Sequence, residues 1–134
     1  MATAASLDRL PRGGDMERVR AIESGLPVRT LRHLLGRGFT IGDVARVVAP
    51  RRTLERRLKS GGRLTVEESD RLARLSQAYD LAMETFDDPA ETIDWLRSPL
   101  KAFDEHAPLD LLKTSAGASA VENLLQRALH GMLA

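Results

Sequence analysis

Residues 40–59 read Thr40-Ile-Gly-Asp-Val-Ala-Arg-Val-Val-Ala-Pro-Arg-Arg-Thr-Leu-Glu-Arg-Arg-Leu-Lys59, and this stretch decides the fold. Behind Thr40, a residue suited to cap a helix, Ile41, Val44, Ala45 and Val48 recur at i, i+3, i+4, i+7 until Pro50 breaks the pattern. A second helix is expected over Arg51 to Lys59, closed by Ser60-Gly61-Gly62. With Leu54 and Leu58 inward, Arg51, Arg52, Glu55, Arg56 and Lys59 point outward and Thr53 stands among them. Two short helices meeting at a tight turn, with arginines at the start of the second, have the layout of a helix-turn-helix. Such a second helix enters the DNA major groove by its N-terminal residues while its flanks hold phosphates. The planar fork of arginine can engage either a guanine edge or a phosphate with paired hydrogen bonds. Thr40, Arg51, Arg52, Thr53, Glu55, Arg56 and Lys59 are therefore the candidate DNA-contacting residues. The competing reading is a solvated basic helix in an ordinary bundle.

Outward from this stretch the apolar period stays helical, and no segment sustains the alternation of a strand. Met16, Val19 and Ile22 mark a short amphipathic helix over 16–24, and Pro27 suits the first turn of a helix through Arg37. Thr65-Val66-Glu67-Glu68 is a capping box that opens a long helix to about Phe86, its buried stripe supplied by Leu72, Leu75, Tyr79, Ala82, Met83 and Phe86. Asp88-Pro89-Ala90-Glu91 starts a further helix carrying Ile93, Trp95 and Leu96, stopped by Ser98-Pro99. After an irregular stretch from Leu100 to Ala107, Pro108 opens a helical turn through Leu112. Ser115 can cap a final helix with Val121, Leu124, Leu125, Ala128 and Leu129 on one face and Gly131 just past its end. The expected fold is all-α: a loose tail over 1–15, a helix-turn-helix domain with a long connecting helix over 16–86, and a small helical domain over 87–134.

Composition narrows the function. Residues 1–63 hold 14 Lys and Arg against 6 Asp and Glu, whereas residues 64–134 hold 6 against 13. Net charges of +8 and −7 follow, so one half suits phosphate and the other a different partner. Cysteine is absent, which removes disulfides and thiolate chemistry and fits a reducing cytoplasm. No apolar run is long enough to span a bilayer. None of the three histidines stands at a metal-ligand spacing, and the acids at 67, 68 and 70 are accounted for by the cap and the helix dipole. No phosphate-cradling glycine motif or nucleophile elbow occurs, so neither an enzyme nor a cofactor is expected. A helix-turn-helix reading one half-site binds weakly, so a homodimer is expected.

The order of the pieces resembles the Xre/ParS-type antitoxins that partner RES-domain toxins. The likeness rests on the helix-turn-helix, Leu64-Thr-Val-Glu-Glu-Ser69, Trp95-Leu96 with Pro99, Pro108-Leu-Asp-Leu-Leu112, Gly117-Ala118, Val121-Glu122, Leu124-Leu125 and His130-Gly131, over about residues 25–134. It implies a C-terminal toxin-binding domain, a helix-turn-helix that represses its own promoter, dimerisation, and a toxin that consumes NAD. Trp95, Phe103, Asp110, Glu122, His130, Gly131, Met132, Leu133 and Ala134 are the candidate toxin-facing residues, the last three because an apolar end is poorly explained as a solvated one. Where the family carries an Asn after the proline and a pair of glycines soon after, this chain has Leu100-Lys-Ala-Phe-Asp-Glu105. Trp95 alone reads either as core or as a partner anchor. The apolar end Met132-Leu133-Ala134 either folds back on the long helix or docks beside the toxin's cleft. The alternative to an antitoxin is a stand-alone regulator whose acidic half dimerises or senses a ligand.

Overall fold

The computed structural model describes residues 14–131, which form eight α-helices and no strand among the described residues. They are α1 (Asp15–Glu23), α2 (Val28–Gly36), α3 (Ile41–Ala45), α4 (Arg51–Ser60), α5 (Val66–Phe86), α6 (Pro89–Arg97), α7 (Pro108–Leu111) and α8 (Ser115–Leu129). The loose tail expected over 1–15 and the apolar end at 132–134 lie largely or wholly outside the described residues. The chain divides into two units between Ala73 and Arg74, within α5.

In the first unit Val28, Leu31, Leu34, Val44 and Leu54, each at most 1% exposed, place one apolar face of α2, α3 and α4 in a common core. Each such side chain is worth about 1.5–3 kcal/mol of burial. Pro27 is the N-cap of α2 rather than a residue of its first turn. It is held there because Leu26–Val28 pairs antiparallel with Gly62–Leu64: Val28 N donates to Gly62 O and Leu64 N to Leu26 O, at 3.0 and 2.8 Å. Gly25 enters this pairing at φ +81°, and a Cβ there would stand 2.4 Å from Leu64 O, so only glycine fits. By contrast α1 buries none of its side chains; Met16 is 57% and Val19 40% exposed.

Helix α3 is shorter than the apolar period predicts. It stops at Ala45, and Arg46 and Val47 donate to the carbonyls three residues back in a tightened turn. Val48 is buried from that turn, not from the helix. Val48 N still donates to Val44 O at 2.9 Å, and Pro50 sets the far limit, since Ala49 before it is pushed out of the helical region.

In the second unit Leu96, Leu109, Leu112, Val121 and Leu125 are all at most 1% exposed. Asp88 caps α6 by accepting from Glu91 N at 2.8 Å, with Pro89 in the first turn. The cap of α8 is Thr114 and not Ser115: its extended backbone aims Oγ1 at Gly117 N, 3.0 Å away, while Ser115 is already helical. The stretch expected to be irregular contains a 3-10 turn, Lys101–Phe103, closed by Leu100 N donating to His106 O at 3.1 Å. Its exit takes two consecutive left-handed residues, Asp104 at φ 53° and Glu105 at φ 67°. The stripe of α5 grades outward, with Leu72, Leu75, Tyr79 and Ala82 buried and Met83 and Phe86 half-buried. The final face behaves likewise: Val121 and Leu125 are buried, Leu124 and Ala128 half-buried, and Leu129 37% exposed.

Candidate nucleic-acid and partner surfaces

Helix α4 exists because eight of its ten residues are Arg, Leu, Glu or Lys, all good helix formers, and it ends at Gly61. Leu54 is completely buried and Leu58 half-buried, which leaves Arg51, Arg52, Glu55, Arg56 and Lys59 exposed. At about 100° per residue, Arg52, Arg56 and Lys59 fall within about 60° of one another and make a single basic edge. Thr53 sits half-buried on the flank of that edge. Arg51 approaches Glu55 at 3.9 Å with both side chains more than half exposed; such a pair is worth little and yields readily to a phosphate. Thr40 closes a full capping box, its Oγ1 accepting from Asp43 N at 3.0 Å while its own N donates to Asp43 Oδ2 at 2.8 Å. The Thr40 hydroxyl proton stays available to an acceptor outside the protein.

Two side chains to which the sequence pattern assigned no role, Arg57 and Arg32, hold this surface in place. Arg57 points inward and its Nη2 lies 3.2 Å from Oε1 of Glu68, an acid 7% exposed. Arg32 of α2 donates to Leu58 O at 2.7 Å, satisfying one of the open carbonyls at the end of α4. The signal for Arg57 was present in the spacing, since it falls on the same side of α4 as Leu54 and Leu58.

The residues suggested as partner-facing are spread over four elements of the second unit. Trp95 on α6 is half-buried, with its ring 5.7 Å from that of Phe86 at 45°; it is neither a sealed core residue nor a free anchor. Phe103 in the 3-10 turn and Asp110 in α7 are also half-buried. Glu122 is exposed on α8; His130, its cap, is exposed with Nδ1 2.7 Å from Gln126 O. Gly131 is exposed at φ +71°. Met132, Leu133 and Ala134 lie outside the described residues.

Two short helices at a proline turn, the second bearing an exposed basic edge, define a helix-turn-helix protein, and a second helical unit follows. Comparison with known proteins agrees. Residues 17–76 match the antitoxin Xre-like helix-turn-helix domain and residues 81–131 the antitoxin Xre/MbcA/ParS C-terminal toxin-binding domain. The chain is 31% identical over 127 residues to an antitoxin Xre of Pseudomonas putida, covering 95% of this chain and 80% of the relative. To an antitoxin Xre of Photorhabdus laumondii it is 30% identical over 115 residues, 84% of this chain and 78% of the relative. To one of Yersinia enterocolitica it is 39% identical over 84 residues, 62% of this chain and 57% of the relative's length. The chain belongs to the Xre antitoxin family, and the all-helical fold with a helix-turn-helix ahead of a toxin-binding domain is the one its sequence pattern predicts.

Proposed function

We propose that the chain is the antitoxin of a bacterial type II toxin-antitoxin pair. In this reading it binds and neutralises a RES-domain toxin that degrades NAD, and represses its own operon as a cytoplasmic homodimer. The observation that carries the reading is the pairing, in one short chain, of an exposed arginine edge on α4 with a unit that matches a toxin-binding domain. The basic part, residues 16–86, takes the operator through Thr40, Arg51, Arg52, Thr53, Glu55, Arg56 and Lys59. The acidic part, residues 87–134, takes the toxin. Its charge suits a toxin whose cleft holds basic groups for a phosphate-bearing nucleotide, so that substrate and inhibitor are drawn by the same field. Trp95, Phe103, Asp110, Glu122, His130 and Gly131 form its partner face, with Met132, Leu133 and Ala134 blocking the cleft.

Co-expression with the product of the adjacent reading frame tests this. The expected result is a co-purifying complex and cells that keep their NAD and grow, where the neighbour alone depletes NAD. A neighbour that neither binds nor kills leaves the stand-alone regulator as the better account. A chain truncated after Leu129 keeps the buried Val121 and Leu125 and should still bind toxin but lose protection. If it protects fully, the blocking surface lies elsewhere, around Trp95 and Phe103.

A further inference from the structure

Of the four arginines in α4, Arg51, Arg52 and Arg56 are exposed and Arg57 is half-buried. Arg57 Nη2 reaches both oxygens of Glu68, 3.2 Å to Oε1 and 3.4 Å to Oε2. The same carboxylate accepts from Thr65 N at 2.9 Å and so also closes the capping box of α5. Around it, Ser69 Oγ accepts from Leu26 N at 2.8 Å ahead of α2, and Arg71 Nη1 donates to Val48 O at 3.3 Å in the turn before α4. The first turns of α5 thus hold the chain ahead of α2 and the turn ahead of α4 by side-chain hydrogen bonds, and Glu68 holds α4 itself.

Arg57 projects about 140° around α4 from Arg52. Fixing it therefore fixes the rotation of the helix about its own axis, and with that the direction in which Arg52, Arg56 and Lys59 point. Leu54 and Leu58 set which face of α4 is buried and Arg32 holds Leu58 O at the end of the helix; the Arg57–Glu68 bond adds an angular restraint to these, because a charge-assisted hydrogen bond is directional. Stability is a poor explanation for the pair, since a buried ion pair gives little over apolar residues of the same volume. We propose that Glu68 is a positioning residue for the DNA-reading helix: through Arg57 it sets the rotation of α4 and so the register of the basic edge, without itself reaching nucleic acid. This rests on the DNA-binding reading above.

The test uses the full chain and a duplex of its own promoter region. E68Q is the informative variant, because glutamine still accepts at the third position of a capping box but removes the charge facing Arg57. E68Q and R57Q should each weaken binding about tenfold, as coupling within such a network allows. The slope of log affinity against log salt should not change, because every phosphate keeps its cation. The double variant R57Q/E68Q should be no weaker than either single one; it also carries the test if a single variant fails to fold. T65A, which removes only the cap, should lower the melting temperature and keep near-wild-type affinity below it. The proposal is overturned if folded E68Q binds within twofold of wild type, or if T65A at equal stability loses as much affinity. It is also overturned if R57Q flattens the salt slope by about one phosphate, which would make Arg57 a contact and not a strut. Wild-type protein that binds no duplex, or R51A/R52A that binds as well as wild type, would instead remove the DNA-reading helix assignment itself.

Discussion

Single residues expose opposite kinds of fit in the second unit. Gly117 lies in the first turn of α8, where alanine would ordinarily be better by about 1 kcal/mol. Here a Cβ would stand 1.8 Å from Leu111 O and 2.7 Å from its carbonyl carbon, both backbone atoms that cannot swing away. Gly117→Ala is therefore expected to destabilise by about 2 kcal/mol or more, against its helix propensity. Glu105 is the reverse case: exposed, at φ 67°, in the stretch where the resembled family carries a pair of glycines. A non-glycine residue in the left-handed region costs of order 1 kcal/mol or more. Aspartate at 104 tolerates the region better than glutamate does. Glu105→Gly should accordingly stabilise by about 0.5–1 kcal/mol, the remainder being offset by the freer unfolded chain. Thermal melts of both variants check the signs; a stabilised Gly117→Ala would mean that the end of α7 stands farther from α8 than this close approach requires.

At the scale of elements, the helices legible in the sequence are those with a chemical start or stop. The boxes at Thr40-Asp43 and Thr65-Glu68, and Asp88-Pro89, each open a helix where their side chains say they should. The misplaced boundaries have local causes that periodicity does not carry. Val48 keeps the apolar spacing but lies past the end of α3, in the short bend between Ala45 and Pro50. Thr114 and Ser115 are chemically equivalent caps, and only the extended backbone at Thr114 selects it. The basic edge was legible because exposure follows from the inward Leu54; the Arg57–Glu68 strut was not, because it joins residues eleven apart. The edge itself makes a prediction. Arg51→Ala with Arg52→Ala should weaken promoter binding, Arg52→Ala alone by about 1–3 kcal/mol if it reads a base. For every phosphate that is left without its arginine, the salt slope should flatten by about 0.9. Gel shifts across a salt series would show full retained affinity if α4 were not the reading helix.

For the whole molecule the decisive property is its division of charge, +8 over residues 1–63 and −7 over residues 64–134. Two kinds of self-association follow, and they differ in their response to salt. A basic stretch of one copy can attract an acidic stretch of another, head to tail; this contact is heterologous, need not close, and is screened within about 8 Å at physiological ionic strength. A two-fold dimer presents two α4 helices to half-sites about 34–36 Å apart and is the usual way for a weak half-site reader to gain affinity. DNA also competes with the first kind, because it occupies the same arginines, but is compatible with the second. The chain is therefore expected to be a dimer by light scattering at micromolar concentration, with a mass that holds from low to several-hundred-millimolar salt and is retained on a palindromic duplex. A mass that climbs at low salt and collapses to the monomer as salt rises would assign the association to the charge division alone. A strict monomer, both free and on DNA, would count decisively against a two-fold reader and would require the operator to be bound through a single copy of the arginine edge.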